Sequence, residues 1–338
     1  MIKSKRSLVH WMIQIVVYLF LFTLGFLVVY PIIWIIGSSF NSTDSLGSAT
    51  AIPQKVVYEI TLEHSNGSIE NIKETKKYTG KRDQEEFLKT IQSKYMKDGT
   101  IVKEEHIKKE FDISLRQYGR LFNDTQYLQW YKNTFKIAVI NMILSVILTV
   151  SAAYVFSRFN FKGKKLGLIT ILILQVFPSF MGMVAIYTLL SQLKLLNTHL
   201  GLILVYAGGQ IPYNTWLVKG YFDTIPHSLD EAARIDGASH MRTFFTVIMP
   251  LARPILVFAA LTNFMGPWMD FIFPRLVIRS KEKFTLAIGL FDMISGRQNN
   301  QFTMFAAGAV LVAIPITILF MILQKYLTEG LSAGAVKG

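Results

Sequence analysis

Few side chains in this 338-residue chain are of kinds and at spacings that do chemistry. The histidines His10, His64, His106, His199, His227 and His240 are scattered with no ligand spacing. No Gly-x-Ser-x-Gly elbow and no close pair of acids inside an apolar stretch occurs, so acyl transfer and intramembrane hydrolysis lack a constellation. The nearest approach to a phosphate-binding loop, Phe161-Lys162-Gly163-Lys164-Lys165, lacks both the Gly-rich turn and the hydroxyl that would hold Mg²⁺. Cysteine is absent, which removes disulfides and thiolate metal sites. Asp270 is the clearest ionisable group in an apolar stretch; a charge in lipid is costly, and a structural pairing with Arg275 at the interface is the favoured reading. The chain reads as non-catalytic.

The spacing that does carry information lies between two apolar runs. Ser228 and Glu231 form a Ser-x-x-Glu capping box, which predicts a helix starting at Leu229 with Asp230 and Glu231 in its positive first turn. Ala233 and Gly237 then lie four apart on one face with Ala232 and Ala238 beside them, and small side chains let another backbone approach closely. The pattern runs on to Val247, Met249 and Pro250, a distance that capping alone does not explain.

The elements that position this loop follow from composition. With 51% hydrophobic and only 17% charged residues, the chain is a polytopic membrane protein with some soluble material. A hydrocarbon core of roughly 30 Å demands runs of about 20 apolar residues. Candidate spans lie at 11–36, 134–156, 166–190, 200–219, 255–273 and 302–323, which puts both termini on one side. Lys3, Lys5 and Arg6, then Arg158, Lys162, Lys164 and Lys165, then Lys325 mark that side as cytoplasmic, so the polar loop is inside. The basic segment 275–283 is discordant, being expected outside. The first run is too long for a signal-peptide core and no small-residue cleavage site follows it, so it reads as a retained helix.

Residues 37–130 hold 14 basic and 14 acidic side chains, so the formal +13 resides in the membrane part and reports topology, with no reason to invoke nucleic acid. Within this polar segment, 56–62 alternates as a strand, Asn66-Gly67 signals a hairpin turn and 68–78 returns. Asp83 and Glu86 begin a helix whose face carries Phe87, Leu88, Ile91 and Tyr95, ending before Gly99. The organisation is therefore 1–40, N-terminal tail and first span; 41–130, an α+β extracellular insert; 131–325, a five-helix core with the polar loop at 222–253; and 326–338, a cytoplasmic tail.

The loop resembles the EAA coupling loop of ABC importer permeases, with Val247 and Met249 where that family usually has Ile and Leu. The tail, Gly330 to Gly338, is similar to that of the second permease subunit of bacterial maltose and maltodextrin importers. The resemblance implies an all-α permease fold of six transmembrane helices in the bacterial inner membrane. It further implies a homologous permease partner, two cytoplasmic ATPase subunits carrying ATP and Mg, an extracellular solute-binding protein, and no cofactor in this chain. Ser228, Glu231, Ala232, Ala233, Gly237, Ala238 and Pro250 would then meet the ATPase, and Gly334, Ala335, Val336, Lys337 and Gly338 would thread between the two ATPase subunits. Gln175, Gln210, Asn214, Asn263 and Trp268 are groups a sugar path would use, although most polar residues in spans serve as helix-to-helix glue; Pro178, Gly182 and Pro212 are candidate bends. A structural or receptor membrane protein anchoring a non-ATPase partner, and an ion-coupled secondary transporter, remain as alternatives; the scarcity of intramembrane acids counts against the latter.

Overall fold

The computed structural model describes residues 8–42, 49–63, 68–76, 89–90, 93–94, 101–176, 179–295 and 301–335. It divides into one unit of residues 1–125 with 292–312 and another of 126–291 with 313–338.

In the first unit, α1 (Leu8–Ser39) is apolar all round, and its large side chains from Trp11 to Ile33 are mostly exposed. Such a helix has no polar face to give to water, which is the pattern of a lipid-facing span. Its end is anchored. Gly37 lies so close to the backbone of Ala51 that a Cβ would stand 1.9 Å from the Ala51 carbonyl oxygen. Ser39 Oγ and Tyr118 Oη share a hydrogen bond of 2.9 Å, Arg116 Nη1 donates to Ser42 O at 2.8 Å, and the Phe40 and Tyr118 rings meet at a tilt with centroids 5.5 Å apart.

The insert contains a three-stranded antiparallel sheet in the order β2-β1-β3, with β1 (Gln54–Glu63) central between β2 (Ile69–Lys76) and β3 (Ile101–Phe111). The first two strands are those expected from the alternation. The third, Ile-Val-Lys-Glu-Glu-His-Ile-Lys-Lys-Glu-Phe, is too charged to show the period-2 signal. It pairs antiparallel with β1 from Gln54↔Phe111 to Glu63↔Ile101, and charges meet across the sheet: Lys108 from β3 and Lys73 from β2 both meet Glu59 of β1, Lys73 at 2.7 Å. The hydrogen bonds from Lys108 and then Lys73 hold the Glu59 carboxyl down at about 2. The predicted Asn66-Gly67 turn and most of the predicted helix around Asp83 to Tyr95 lie outside the described residues. Helix α2 (Arg116–Asn123) follows.

In the second unit, α3 (Tyr127–Arg158) is one unbroken helix of 32 residues. It is followed by α4 (Lys164–Val176), α5 (Ser179–Gln192), α6 (His199–Thr224) and α7 (His227–Ile235). Next come α8 (His240–Thr243), a π-helical turn (Phe244–Ile248), α9 (Met249–Leu251), α10 (Arg253–Met269), α11 (Ile272–Val277) and α12 (Leu286–Ser295). The last helix is α13 (Phe302–Ala335); α12 and α13 each contribute residues to both units.

Among the described residues, three helices are long and apolar enough to cross a membrane, at Trp11–Ser39, Tyr127–Arg158 and Phe302–Lys325, or up to five spans if each of two bent pairs counts as one. The expected single run at 166–190 is divided between α4 and α5, and the run at 255–273 stops at Met269. Helix α6 has the length of a span, but Gly208-Gly209-Gln210 and Asn214-Thr215 dilute its apolarity.

Helices α3, α6 and α10 pack together. The buried face of α3 includes Thr134, Ala138, Asn141, Ser145, Thr149 and Ala153, small or polar side chains about one turn apart that let helix backbones come close.

A fragment of residues 54–125 should give a β-sheet circular dichroism spectrum; a random-coil spectrum would show that the sheet needs the rest of the chain. Because the folded Glu59 carboxyl is depressed, its contribution to stability is full above the ordinary carboxylate range and is lost as pH falls towards 2. Thermal melts of the fragment should therefore show an acid-side loss that is smaller in Glu59→Gln.

Candidate coupling site

The polar loop folds as α7, a sharp stop, α8 and the π-helical turn. Helix α7 begins two residues earlier than the capping box predicts: Pro226 is the N-cap, Leu229 N donates to Pro226 O at 3.2 Å, and no side chain caps the end. Proline's ring fixes its φ and has already set the entry of the chain, so Ser228 lies within the first turn and is exposed.

The stop is a Schellman motif. Ala238 N donates to Ala233 O and Gly237 N to Arg234 O, both at 2.9 Å, with Gly237 at φ +81°. Gly237 therefore lies past the helix end, not on a face shared with Ala233 as the spacing suggested. Its job is the left-handed backbone. A Cβ there would meet nothing within 4 Å, so the requirement is conformational and not one of space. Glu231, Ala232 and Gly237 are exposed, Ala233 and Ala238 half-buried, and Pro250 exposed. Around them lie exposed apolar side chains: Ile235, Met241 and Phe245, with Leu229 partly so.

The loop is seated on α3 and α6 by groups the sequence reading did not single out. Phe244, Ile248 and Ala252, four residues apart, are buried with Val150, Ala153 and Tyr154 of α3 and Val218 and Phe222 of α6. Val247 and Met249, the positions of the sequence pattern, are only half-buried. Tyr154 lies 4.6 Å from the Phe244 ring and its hydroxyl donates to His240 O at 3.3 Å. Beside this apolar seat is a charged one. Arg158 Nε lies 3.0 Å from Asp230 Oδ2, with the two side chains only 4% and 14% exposed. The approach is an ion pair without hydrogen-bond alignment, since neither atom has a hydrogen-bond partner. The same guanidinium donates through Nη2 to Ile225 O at 3.0 Å. Ser157 Oγ donates to Asp223 Oδ1 at 2.7 Å, and Asp223 also pairs with Lys219. Removing one partner of a buried ion pair leaves the other charge uncompensated, at a cost of about 3–5 kcal/mol.

A motif this specific, on a helix stack this apolar, matches one family of known proteins. The family model described as "Binding-protein-dependent transport system inner membrane component" matches residues 135–332. The chain belongs to that family. Similar proteins include the maltodextrin transport system permease protein MdxG of Bacillus subtilis (strain 168), 45% identical over 225 residues that cover 67% of this chain and 81% of that protein. The galactooligosaccharides transport system permease protein GanQ of the same organism is 36% identical over 321 residues, 95% of this chain and 94% of that one. A bacterial ABC transporter involved in the import of the acidic polysaccharide alginate shares the fold, with a TM-score of 0.68 at 22% identity over 96% of this chain and 99% of its own.

In this permease the residues considered for a sugar path behave mainly as helix contacts. Asn214 Nδ2 donates to Asn263 Oδ1 at 3.3 Å, and both are buried. Asn141, which the sequence reading passed over, donates to Asn263 O at 2.8 Å and accepts from Ser145 Oγ at 3.2 Å. Trp268 is buried against Tyr131 at 5.1 Å, Gln210 faces Gly266, and Gln175 is exposed. Buried atoms Gln210 Oε1, Asn214 Oδ1 and Trp268 Nε1 have no partner. Asp270 does not pair with Arg275. It accepts from Tyr206 Oη at 2.9 Å and from Phe273 N at 3.3 Å, while the Arg275 guanidinium lies over the Phe284 ring at 5.5 Å. Two further cations of the discordant segment are also occupied: Arg279 donates to Tyr187 Oη and Lys283 to Asn197 O. In the tail, α13 continues helical through Ala335, so Gly334 and Ala335 are helical; Val336, Lys337 and Gly338 lie outside the described residues. Pro178 does too.

Gly237→Val should weaken the end of α7 by about 1–2 kcal/mol, the cost of a left-handed backbone for a residue with a Cβ. Hydrogen exchange at the Ala238 amide should quicken accordingly, whereas Gly237→Asn, which tolerates that region, should exchange close to wild type.

Proposed function

We propose that this permease is the second of two paired transmembrane subunits in an ABC importer of neutral oligosaccharides, with malto-oligosaccharides the first choice. The chain is a permease subunit of an ABC sugar importer and not an enzyme; ATP and Mg belong to partner subunits. In this reading it sits in the bacterial inner membrane with six spans and both termini cytoplasmic. An α+β insert stands outside near a solute-binding protein, and two ATPase subunits lie inside. Residues 1–40, 41–130, 131–325 and 326–338 serve as the organisational parts.

The observation that carries the reading is a short helix, α7, that exposes Glu231 and Ala232 together with apolar Ile235 and Leu229, yet is held from behind by a buried ion pair. Exposed apolar groups rimmed by charge mark a protein contact. ATPase closure on ATP would push that face, and the differential contacts of ATP with the two states would shift the paired permeases between inward-open and outward-open forms. Ser228, Ala233, Ala238 and Pro250 flank the contact, and the tail from Gly334 adds a second one. Gln175, Gln210, Asn214, Asn263 and Trp268 would border the sugar path through hydroxyl hydrogen bonds and ring stacking.

The specific alternative substrate is a galacto-oligosaccharide, favoured by the similarity to GanQ over almost the whole chain. Transport of labelled maltotriose and of a labelled galactosyl trisaccharide by the reconstituted complex separates the two, since only the sugar that is carried should accumulate in the liposomes.

Ala232→Trp tests the coupling face cleanly, because position 232 is exposed and inside the helix, whereas Gly237→Trp would also break the cap. It should abolish co-purification of the ATPase subunit and sugar-stimulated hydrolysis while the permease still inserts. Normal capture and normal stimulation would remove the proposed contact. Truncation after Thr328 should lower coupled hydrolysis and leave insertion unchanged; unchanged hydrolysis would take the tail out of the contact.

A further inference from the structure

We infer that Arg158 and Asp230 form the joint through which movement of the loop reaches the membrane helices, making both of them positioning residues of the transport cycle. This rests on the coupling function proposed above. Helix α7 buries none of its side chains fully, so it has no apolar knob to transmit force. Its link to α3 by charge is Asp230, whose carboxylate meets Arg158 Nε at 3.0 Å with both side chains almost out of solvent. Arg158 is the last residue of α3, where a cation also complements the helix dipole. From there α3 runs without a proline or a break back to Asn141, roughly 25 Å away at 1.5 Å per residue. At Asn141 it grips Asn263 of α10, which in turn accepts from Asn214 of α6. One guanidinium thus ties together the loop through Asp230, the end of α6 through the Ile225 carbonyl, and α3 through its own backbone. A push on α7 is thereby delivered to α3 as a whole and, through the Asn141 contact, to α10 and α6.

The test uses the complete complex in liposomes and reads sugar moved per ATP hydrolysed, a ratio that a general loss of folded protein does not change. Arg158→Gln and Asp230→Asn should each lower that ratio roughly fivefold or more, the lower end of ordinary coupling free energies. The ATPase subunit should still co-purify, because the exposed face of α7 is untouched. The double variant should be no worse than either single one, since both remove the same joint. Arg158→Lys, which keeps the charge but not the donor to Ile225, should fall between wild type and Arg158→Gln. Should Arg158→Gln fail to insert, Asp230→Asn, isosteric and on the loop, carries the test alone. A wild-type ratio in Asp230→Asn, or losses that add in the double variant, overturns the joint. Failure of the wild-type complex to capture ATPase or to transport sugar would instead overturn the function on which the joint rests.

Discussion

A polar group inside a hydrocarbon layer must be answered by another one, because no water is there to do it. Asn263 is where this permease meets that demand. Its backbone carbonyl accepts from Asn141 of α3, its side-chain oxygen accepts from Asn214 of α6, and its amide donates to Ala259 O at 2.6 Å within α10. Three helices are therefore registered against one residue. Apolar contact alone would not do this in a membrane, where lipid tails compete on equal terms with Leu or Val side chains and packing rests on small residues and directed polar contacts. The run of Thr134, Ala138, Asn141, Ser145, Thr149 and Ala153 along α3 supplies the close approach that makes those contacts reachable.

That registration gives the loop something to act upon. At the far end of α3 the side chains change from small to aromatic and charged. Tyr154 receives Phe244 and donates to the His240 carbonyl, and Arg158 receives Asp230. The π-helical turn at Phe244–Ile248 is the local consequence: it sets Phe244, Ile248 and Ala252 in one buried stripe just before the chain turns into α10 at Arg253-Pro254. π-turns concentrate at functional sites, where an extra residue per turn re-aims a face.

Much of this was legible in the sequence, and the failures have physical causes. The polar loop announced its helix and its small residues, but two local rules competed at each of its ends. At the start, Ser228 and Glu231 had the spacing of a capping box, and Pro226 won because its fixed φ had already turned the chain. At the stop, Gly237 fitted a small-residue face by spacing, whereas its φ of +81° shows that it ends the helix. Backbone conformation is invisible to periodicity, and a glycine four residues after an alanine reads the same either way. Strand β3 was missed for a different reason: its charges find partners across the sheet, Lys108 on Glu59 among them, and a single-chain pattern cannot show a partner some 50 residues away. Asp270 and Arg275 were close enough in sequence to suggest a pair, yet Tyr206 from another helix reached the carboxylate instead. Asn141 was the one omission that the sequence offered outright, an amide alone in an apolar span.

Why the loop should be joined to α3 by a charge pair beside its apolar seat follows from what each contact resists. Burial of Phe244, Ile248 and Ala252 is favourable and non-directional in origin, so that surface holds the loop in place by area and close packing. The ion pair adds a single point of attachment: the guanidinium is held to Ile225 O through Nη2, so a movement of the loop draws Asp230 away from a cation that stays in place. In a nearly dry setting that separation leaves a charge unpaired. The apolar stripe therefore supplies adhesion and the ion pair supplies a fixed point of attachment, and a loop that must pass a push to a helix needs both.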